Sequence, residues 1–326
     1  MYKKLLLLCG LLLTLLGHAA PTYDERLYAS QQIQGLKVNE KALHFLVLGD
    51  WGRNGHYRQQ DVAHWMEIAM HQLDGELIVT TGDNFYPDGV ASVKDPYWSS
   101  SYENIYQGPN LFRPWYVTLG NHDYRGNVQA QIDYSQISQR WNLPARYYSR
   151  TFALPDSEEE VLILFIDTNP LEPQYQNREK YLATQSENAR IQMVWIETQL
   201  AGSNARWKLV VGHHPLYSSG KRYGTTDGIR QVLEPMLERH QVDAYIAGHE
   251  HDLQHNQPEG KQVAHLVSGG GSSLRPVAER EFTRFAKGTA GFMALSVSPA
   301  RILVQMIDAE GQLLYFTSLT KESIKQ

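Results

Sequence analysis

A chain of 326 residues, 42% apolar, 20% charged and 11% aromatic, can bury a large core. Its formal charge is −5 and no run of Lys and Arg occurs, which argues against long nucleic acid or a charged membrane surface as partner. With a single cysteine, Cys9, it offers neither a disulfide framework nor a thiolate metal site.

In chain order, Lys3 and Lys4 precede the apolar run Leu5 to Leu16, and Gly17-His18-Ala19-Ala20-Pro21 follows. A charged start, a short apolar stretch and small residues predict a cleavable signal peptide over residues 1–19. Cleavage after Ala19 puts Gly17 and Ala19 at the two positions that need small side chains; cleavage after Ala20 puts His18 at one of them. The run is short for a membrane span, so an uncleaved anchor is the lesser reading. Lipid attachment at Cys9 fits poorly, because Leu8 precedes it and the apolar run continues beyond. Without the signal, 28 basic residues face 35 acidic ones, a charge of −7, and no cysteine remains. That suits a periplasmic or secreted protein with no stable membrane association, and a monomer is expected.

Residues 20–41 are polar with little periodicity and read as a loosely packed leader. A single catalytic domain is expected over 42–318, with a short tail at 319–326. Leu43–Leu48 reads as a buried strand, and Tyr57–Leu73 as a helix with Val62, Trp65, Met66, Ala69, Met70 and Leu73 at helical spacing. Strands follow at Leu77–Thr81 and Trp115–Leu119, a helix at Val128–Trp141, and strands at Tyr147–Ala153 and Val161–Ile166. Glu158-Glu159-Glu160 marks a solvated turn, and the polar stretch Asn169–Glu187, with Pro170 and Pro173, reads as an inserted surface loop. Helices at Ala189–Leu200 and Gly228–Arg239 alternate with strands at Lys208–Val211 and Ala244–Ala247. Strands near Val263–Val267, Phe292–Val297, Ile302–Ile307 and Leu313–Ser318 complete the chain. The order predicts an α/β fold with a helix-flanked sheet and further strands building a second sheet.

Five of the strands run into polar blocks: Gly49-Asp50-Trp51-Gly52, Gly82-Asp83-Asn84-Phe85-Tyr86, Gly120-Asn121-His122-Asp123, Gly212-His213-His214-Pro215 and Gly248-His249-Glu250-His251. One Gly-Asp after a strand is an ordinary turn. Five such blocks in order supply carboxylate, amide and imidazole donors for two metal ions, and a carboxylate can bridge them.

These blocks resemble the calcineurin-like metallophosphoesterases. Gly82-Asp83-Asn84-Phe85-Tyr86 and Gly248-His249-Glu250-His251-Asp252-Leu253-Gln254 are similar to the purple, or tartrate-resistant, acid phosphatases. The resemblance runs from about Ala42 to Thr317 and implies a four-layer α-β-β-α sandwich of two mixed sheets flanked by helices. It implies that Asp50, Tyr86 and His251 hold a ferric ion, that Asp83 bridges, and that Asn121, His213 and His249 hold a divalent ion, Fe2+, Zn2+ or Mn2+. Small phosphate monoesters would be the substrates, hydrolysed by a metal-bound hydroxide, with His122 contacting the phosphate and protonating the leaving group. Asp123 is expected to accept the other ring N–H of His122.

One position departs from the animal members. Their second substrate histidine, some nine residues beyond the Gly-His-x-Pro histidine, has no counterpart between Leu216 and Arg239, where Lys221-Arg222-Tyr223 stands instead. Arg222 is assigned to phosphate contact and proton donation is left to His122, since guanidinium is a poor acid. His214 is expected either to reach the substrate or to pack. His64, His71, His255 and His265 are read as packing or surface residues, and Gly269 to Ser273 as a tight loop beside the site. The aromatics between Phe85 and Tyr116 read as packing of a large loop. A phosphodiesterase or nucleotide hydrolase of the same superfamily is the nearer alternative, and a non-catalytic iron-binding protein the more distant one.

Overall fold

Among the described residues, fourteen strands build two seven-stranded sheets that face each other. The computed structural model describes residues 23–175, 178–185 and 188–321; the expected signal peptide, Cys9 and residues 322–326 lie outside the described residues. The strands are β1 (Leu43–Leu48), β2 (Leu77–Thr80), β3 (Trp115–Tyr116), β4 (Trp141–Asn142), β5 (Tyr148–Ala153), β6 (Glu160–Phe165) and β7 (Trp207–Val211). They continue as β8 (Ala244–Ala247), β9 (Leu253–Asn256), β10 (Ala264–Ser268), β11 (Thr283–Lys287), β12 (Gly291–Val297), β13 (Arg301–Asp308) and β14 (Leu313–Thr320). The helices are α1 (Glu25–Ser30), α2 (Gln59–Leu73), α3 (Val128–Tyr134), α4 (Leu182–Gln185), α5 (Ala189–Ala201) and α6 (Asp227–Arg239).

One sheet has the order β14-β13-β12-β1-β2-β3-β4 and the other β11-β9-β10-β8-β7-β6-β5. Both are mixed. β1, β2, β3 and β4 run parallel in the first, and β6, β7, β8 and β10 in the second, with antiparallel strands added outside. Alternation of side chains along a strand divides the second sheet cleanly. Val161, Ile163, Phe165, Leu209, Val211 and Ile246 face the first sheet. Leu162, Leu164, Ile166, Val210 and Tyr245 face α5 and α6, meeting Ile196, Leu200, Ile229 and Leu233. On the far side, α2 turns Val62, Met66, Ala69, Met70 and Leu73 inward. The result is the four-layer α-β-β-α sandwich, and the fully buried faces explain why these strands read as continuous apolar runs.

Several elements differ from the sequence-based expectation. The helix expected to reach Trp141 stops at Tyr134, and Trp141 instead pairs with Trp115 at the sheet edge. Leu253-Gln254-His255-Asn256 has one apolar residue, yet β9 is buried at all four positions. Its amides are satisfied sideways: Gln254 accepts from the Ser219 N–H at 2.7 Å and Asn256 donates to the Tyr217 carbonyl at 3.1 Å. A hydrophobic-period reading has no purchase on such a strand. The leader is docked rather than loose from Asp24 onward, where the Asp24 carboxylate caps α1. The Tyr28 hydroxyl donates to the buried Glu67 carboxylate at 2.5 Å, the Tyr28 ring stacks on His71 at 3.8 Å, and Ile33 is buried.

His265, on β10, is buried between Tyr217 and Tyr245 with neither ring nitrogen bonded. Burial first, then the neighbouring His255, pushes its pKa from 6.5 down to about 3. The unfolded chain therefore takes up this proton first, and stability falls as pH drops from 6.5 toward 3. His265→Leu is expected to shrink the loss of unfolding free energy between pH 7 and pH 5 by about 2 kcal/mol in paired denaturant titrations. An unaltered loss would show that the imidazole is protonated in the folded state.

Candidate metal centre

The parallel halves of the two sheets end at the same edge, and the five polar blocks meet there. Asp50 follows β1, Asp83 follows β2, Asn121 follows β3, His213 follows β7 and His249 follows β8. Brought together this way, ligands more than a hundred residues apart share one cage, as is usual at the carboxyl ends of parallel strands. The glycines of the blocks are required by close approach. A Cβ on Gly120 would lie 2.3 Å from Asp83 Oδ1, and one on Gly248 would lie 2.5 Å from Asp50 Oδ2. Asp50, Asp83 and His249 have φ of 58°, 51° and 67°, a left-handed backbone that costs each residue of order 1 kcal/mol or more. Strain at three converging side chains marks a functional constraint.

The cage has two halves. In one, the Tyr86 hydroxyl lies 2.9 Å from Asp50 Oδ1, 2.8 Å from Asp83 Oδ2 and 3.3 Å from His251 Nε2. In the other, His213 Nε2 lies 3.2 Å from Asn121 Oδ1, 3.1 Å from His249 Nδ1 and 3.4 Å from Asp83 Oδ1. Asp83 turns one carboxylate oxygen into each half.

Partners behind the cage set the direction of each ring. The His213 Nδ1–H donates to the Thr81 carbonyl at 2.8 Å, which leaves Nε2 as the free lone pair facing inward. His251 Nδ1 meets the Ser273 hydroxyl at 2.7 Å, and the His249 N–H donates to Asp50 Oδ2 at 2.8 Å. The loop from Gly269 to Ser273 fastens this side, with the Ser272 hydroxyl donating to the Asp50 carbonyl at 2.6 Å. It is the tight loop expected beside the site. Beneath the cage, Trp98, Tyr102, Tyr106 and Trp115 are buried around Trp51, Phe85 and Trp141, so the aromatic loop is packing and not a pocket wall.

The structure corrects the expected partner of His122. Its Nδ1 meets the Pro87 carbonyl and, at 3.0 Å, the Arg125 guanidinium, not Asp123, and its Nε2 stands 3.9 Å from Asp83 Oδ2. The Asp123 carboxylate is fully buried and accepts from the Gly120 N–H at 2.8 Å, the Asn84 N–H at 3.0 Å and the Gln131 amide at 2.9 Å. Backbone donors within reach outcompete a side chain that has an alternative acceptor. Asp123 thus ties two ligand-bearing loops together.

Of the two roles expected for His214, the structure shows the hydrogen-bonded one. The Thr168 hydroxyl lies 2.7 Å from its Nδ1 and the Tyr175 hydroxyl 2.8 Å from its Nε2, so both ring nitrogens are taken. Arg222 sits close enough to His214 and His249 to oppose their protonation, and its Nε is buried without a partner. The expected surface loop after Asn169 is a wall of the site in its described part. Tyr175 and Tyr181 are buried, and the Tyr181 hydroxyl accepts from Asn121 Nδ2 at 3.2 Å and from Arg125 at 3.0 Å. Sequence reasoning missed Arg53, Arg125, Thr168, Tyr175, Tyr181 and Arg275. Arg53 and Arg125 lie just past two of the blocks, whereas Tyr175 and Tyr181 follow no motif.

Electrostatics show that the donor set suits cations. Burial, and the neighbouring Asp83 charge, push Asp50 up to about 7 despite His213. Burial also raises Asp83, but the His213 and His122 imidazoles overcome it and hold that carboxyl below its usual range. Tyr86 is driven well above 10 by burial, Asp50 and Asp83, and burial takes His251 down to about 3. Two carboxylates, a phenol and imidazoles turned on one another form a poor protein core and a good hard-metal site. Ligand atoms of Asp50, Asp83 and His213 lie within 4.8 Å of one another, as do those of His213, His214 and His249.

Residues 43–253 match the calcineurin-like phosphoesterases. The chain is 36% identical over 306 residues to purple acid phosphatase 7 of Arabidopsis thaliana, covering 88% of this chain and 89% of that one. It is 34% identical over 304 residues to the tartrate-resistant acid phosphatase type 5 of Homo sapiens, covering 86% and 92%. Among solved structures, GAP50, the anchor in the inner membrane complex of Plasmodium, superposes with a TM-score of 0.75 at 26% identity, covering 87% and 90%. The chain belongs to the calcineurin-like phosphoesterases. Within them it is a member of the purple acid phosphatase family, which implies the binuclear metal centre that these donors fit.

Asp123→Ala would leave the Gly120 and Asn84 N–H groups and the Gln131 amide buried without an acceptor. A loss of about 2–4 kcal/mol in denaturant unfolding is expected. A loss under about 0.5 kcal/mol would mean that Asp123 does not hold the loops.

Proposed function

We propose that this chain is an exported acid phosphatase that hydrolyses small phosphate monoesters at a mixed-valence pair of metal ions. The observation that carries the reading is the two-halved cage joined by Asp83, with His122 on its rim. Asp50, Tyr86 and His251 would hold a ferric ion, Asn121, His213 and His249 a divalent one (Fe2+, Zn2+ or Mn2+), and Asp83 both. Bound there, two cations supply Lewis acidity toward the phosphoryl oxygens and a nucleophile at low pH.

The chain's own residues supply the rest. Arg222 would meet a phosphoryl oxygen on the side where animal members carry a histidine, a reading supported by the nearness of its charge to His214 and His249. His122 Nδ1 is engaged by the Pro87 carbonyl and Arg125, which leaves Nε2 as the nitrogen that takes up and delivers a proton. It delivers that proton to the departing ester oxygen, while Tyr86 ring contact at 4.2 Å holds the imidazole in place. Asp123 and His214 act through others: the first holds the loops of Asn84 and Gly120, the second braces Tyr175 and Thr168 behind His213. Export rests on the apolar N-terminal segment and the cysteine-free remainder.

Burial lowers the pKa of His122 below 6.5, outweighing the pull of Asp83 and Pro87. Its protonated form is therefore lost as pH rises through a value under 6.5, and turnover of esters with poor leaving groups should fall with it. His122→Ala is expected to lower kcat on an alkyl phosphate about 10²–10⁴-fold, and on a nitrophenyl phosphate far less, because nitrophenolate leaves without a proton. Equal losses on both esters would remove the proton-donor role. The ferric assignment is tested by Tyr86→Phe, which should abolish the visible tyrosinate-to-iron absorption of the purified protein. A colourless wild-type protein would refute it.

A further inference from the structure

The segment after β8 divides its residues by alternate positions. His249 and His251 turn into the cage, and Leu253 and His255 carry on toward the first sheet, where His255 Nδ1 meets the Tyr315 hydroxyl at 2.9 Å. Between them stand Glu250, Asp252, Gln254 and Asn256, all fully buried, and these turn toward the loop Tyr217–Arg222. Their side chains are linked along the row. Asn256 Nδ2 donates to Gln254 Oε1 at 2.8 Å, and Gln254 Nε2 donates to Asp252 Oδ1 at 2.8 Å.

The loop is fastened to this row almost residue by residue. Asn256 donates to the Tyr217 carbonyl at 3.1 Å and accepts from the Ser219 hydroxyl at 2.8 Å, while the Ser219 N–H donates to Gln254 Oε1 at 2.7 Å. Glu250 Oε1 accepts from the Ser218 hydroxyl at 2.6 Å and from the Arg222 N–H. The Ser218 oxygen accepts in turn from the Gly220 N–H at 2.9 Å. Gly220 lies against the row itself: a Cβ there would stand 2.8 Å from Glu250 Cδ and 2.9 Å from Asp252 Oδ2.

Stability alone does not select such a row. It buries two carboxylates, with Arg275 3.9 Å from Glu250 Oε2, where apolar side chains would fill the space at less cost. What the row supplies is direction. Hydrogen bonds to a buried carboxylate are strong and geometrically exact, and those of Glu250 end on the backbone N–H of Arg222, whose charge lies near His214 and His249. One extended segment thus holds metal ligands on one side and the loop of a guanidinium on the other.

We propose that Glu250 is a positioning residue: it fixes the loop Ser218–Arg222 so that Arg222 stands beside the metal cage before substrate arrives. Asp252, Gln254 and Asn256 hold the rest of the loop to the segment that bears His249 and His251. The proposal rests on the phosphatase reading above and on Arg222 as its phosphate contact. A guanidinium on a fastened loop loses less freedom on meeting a phosphoryl oxygen than one on a free loop. The anchoring therefore shows in KM, since the contact is made in the bound ester as well as in the transition state.

The test measures kcat, KM and metal content of the metal-loaded protein with nitrophenyl phosphate as substrate. Glu250→Ala is expected to raise KM about tenfold while kcat falls less. Glu250→Gln, whose amide oxygen still accepts from Ser218 and Arg222, is expected to restore KM. Arg222→Ala is expected to raise KM to a similar extent, and Glu250→Ala added to it to change KM no further. Because Glu250 stands between two metal ligands, Gly220→Ala approaches the contact from the loop. Its Cβ would press on the Glu250 carboxylate and lift the loop, and the same rise in KM is expected with metal content unchanged. A KM that Gly220→Ala leaves within about twofold of wild type, or independent effects of Glu250→Ala and Arg222→Ala, overturns the positioning role while the phosphatase reading stands. A wild-type protein that turns over no phosphate monoester overturns both.

Discussion

The burial of Asp50 and Asp83 side by side at the ends of two parallel strands is the constraint on which the rest depends. Two carboxylates with a phenol between them, shut away from water, repel one another and raise Asp50 to about 7. Among the described residues no lysine or arginine pairs with either carboxylate; Arg53 and Arg275 lie behind the cage, over the Tyr86 ring and on the His249 carbonyl. The fold still holds these residues in strained left-handed backbone, clamped by Asp123, Thr81 and the loop at Ser272. Cations reconcile what the protein alone leaves unfavourable. The same crowding explains why the glycines of the blocks cannot carry a side chain.

Asp50, Asp83, Asn121, His213 and His249 were legible in the sequence because each stands just past an apolar run, where a strand must end and its loop must turn, and Tyr86 and His251 stand within the same blocks. The parallel pairings β1-β2-β3 and β7-β8 then bring the ligands to one edge without any further signal. The four layers were legible for a related reason: strands buried on both faces read as continuous apolar runs. What escaped the sequence is held by polar partners. β9 carries Gln254 and Asn256 inside because Ser219 and Tyr217 meet them. Asp123 turns to backbone N–H groups three to thirty-nine residues away rather than to its neighbour. Tyr175 and Tyr181 sit in a polar, proline-containing stretch that only the folded chain turns inward. Hydrogen-bond geometry of this kind has no period.

The rim of the cage divides the work. On one side Arg222 and the tyrosines after Asn169 enclose His214 and Asn121, and on the other Arg53, Tyr57 and Pro87 border His122. With no histidine between Leu216 and Arg239, the proposed reading leaves proton delivery to His122, a partly buried imidazole.

Elemental analysis of the purified wild-type protein beside Asp83→Ala tests the central claim most directly. The account predicts two metal ions per chain in the wild type and loss of both in the variant, because one carboxylate serves both halves of the cage. One ion or none in the wild type, or two retained without Asp83, would contradict it.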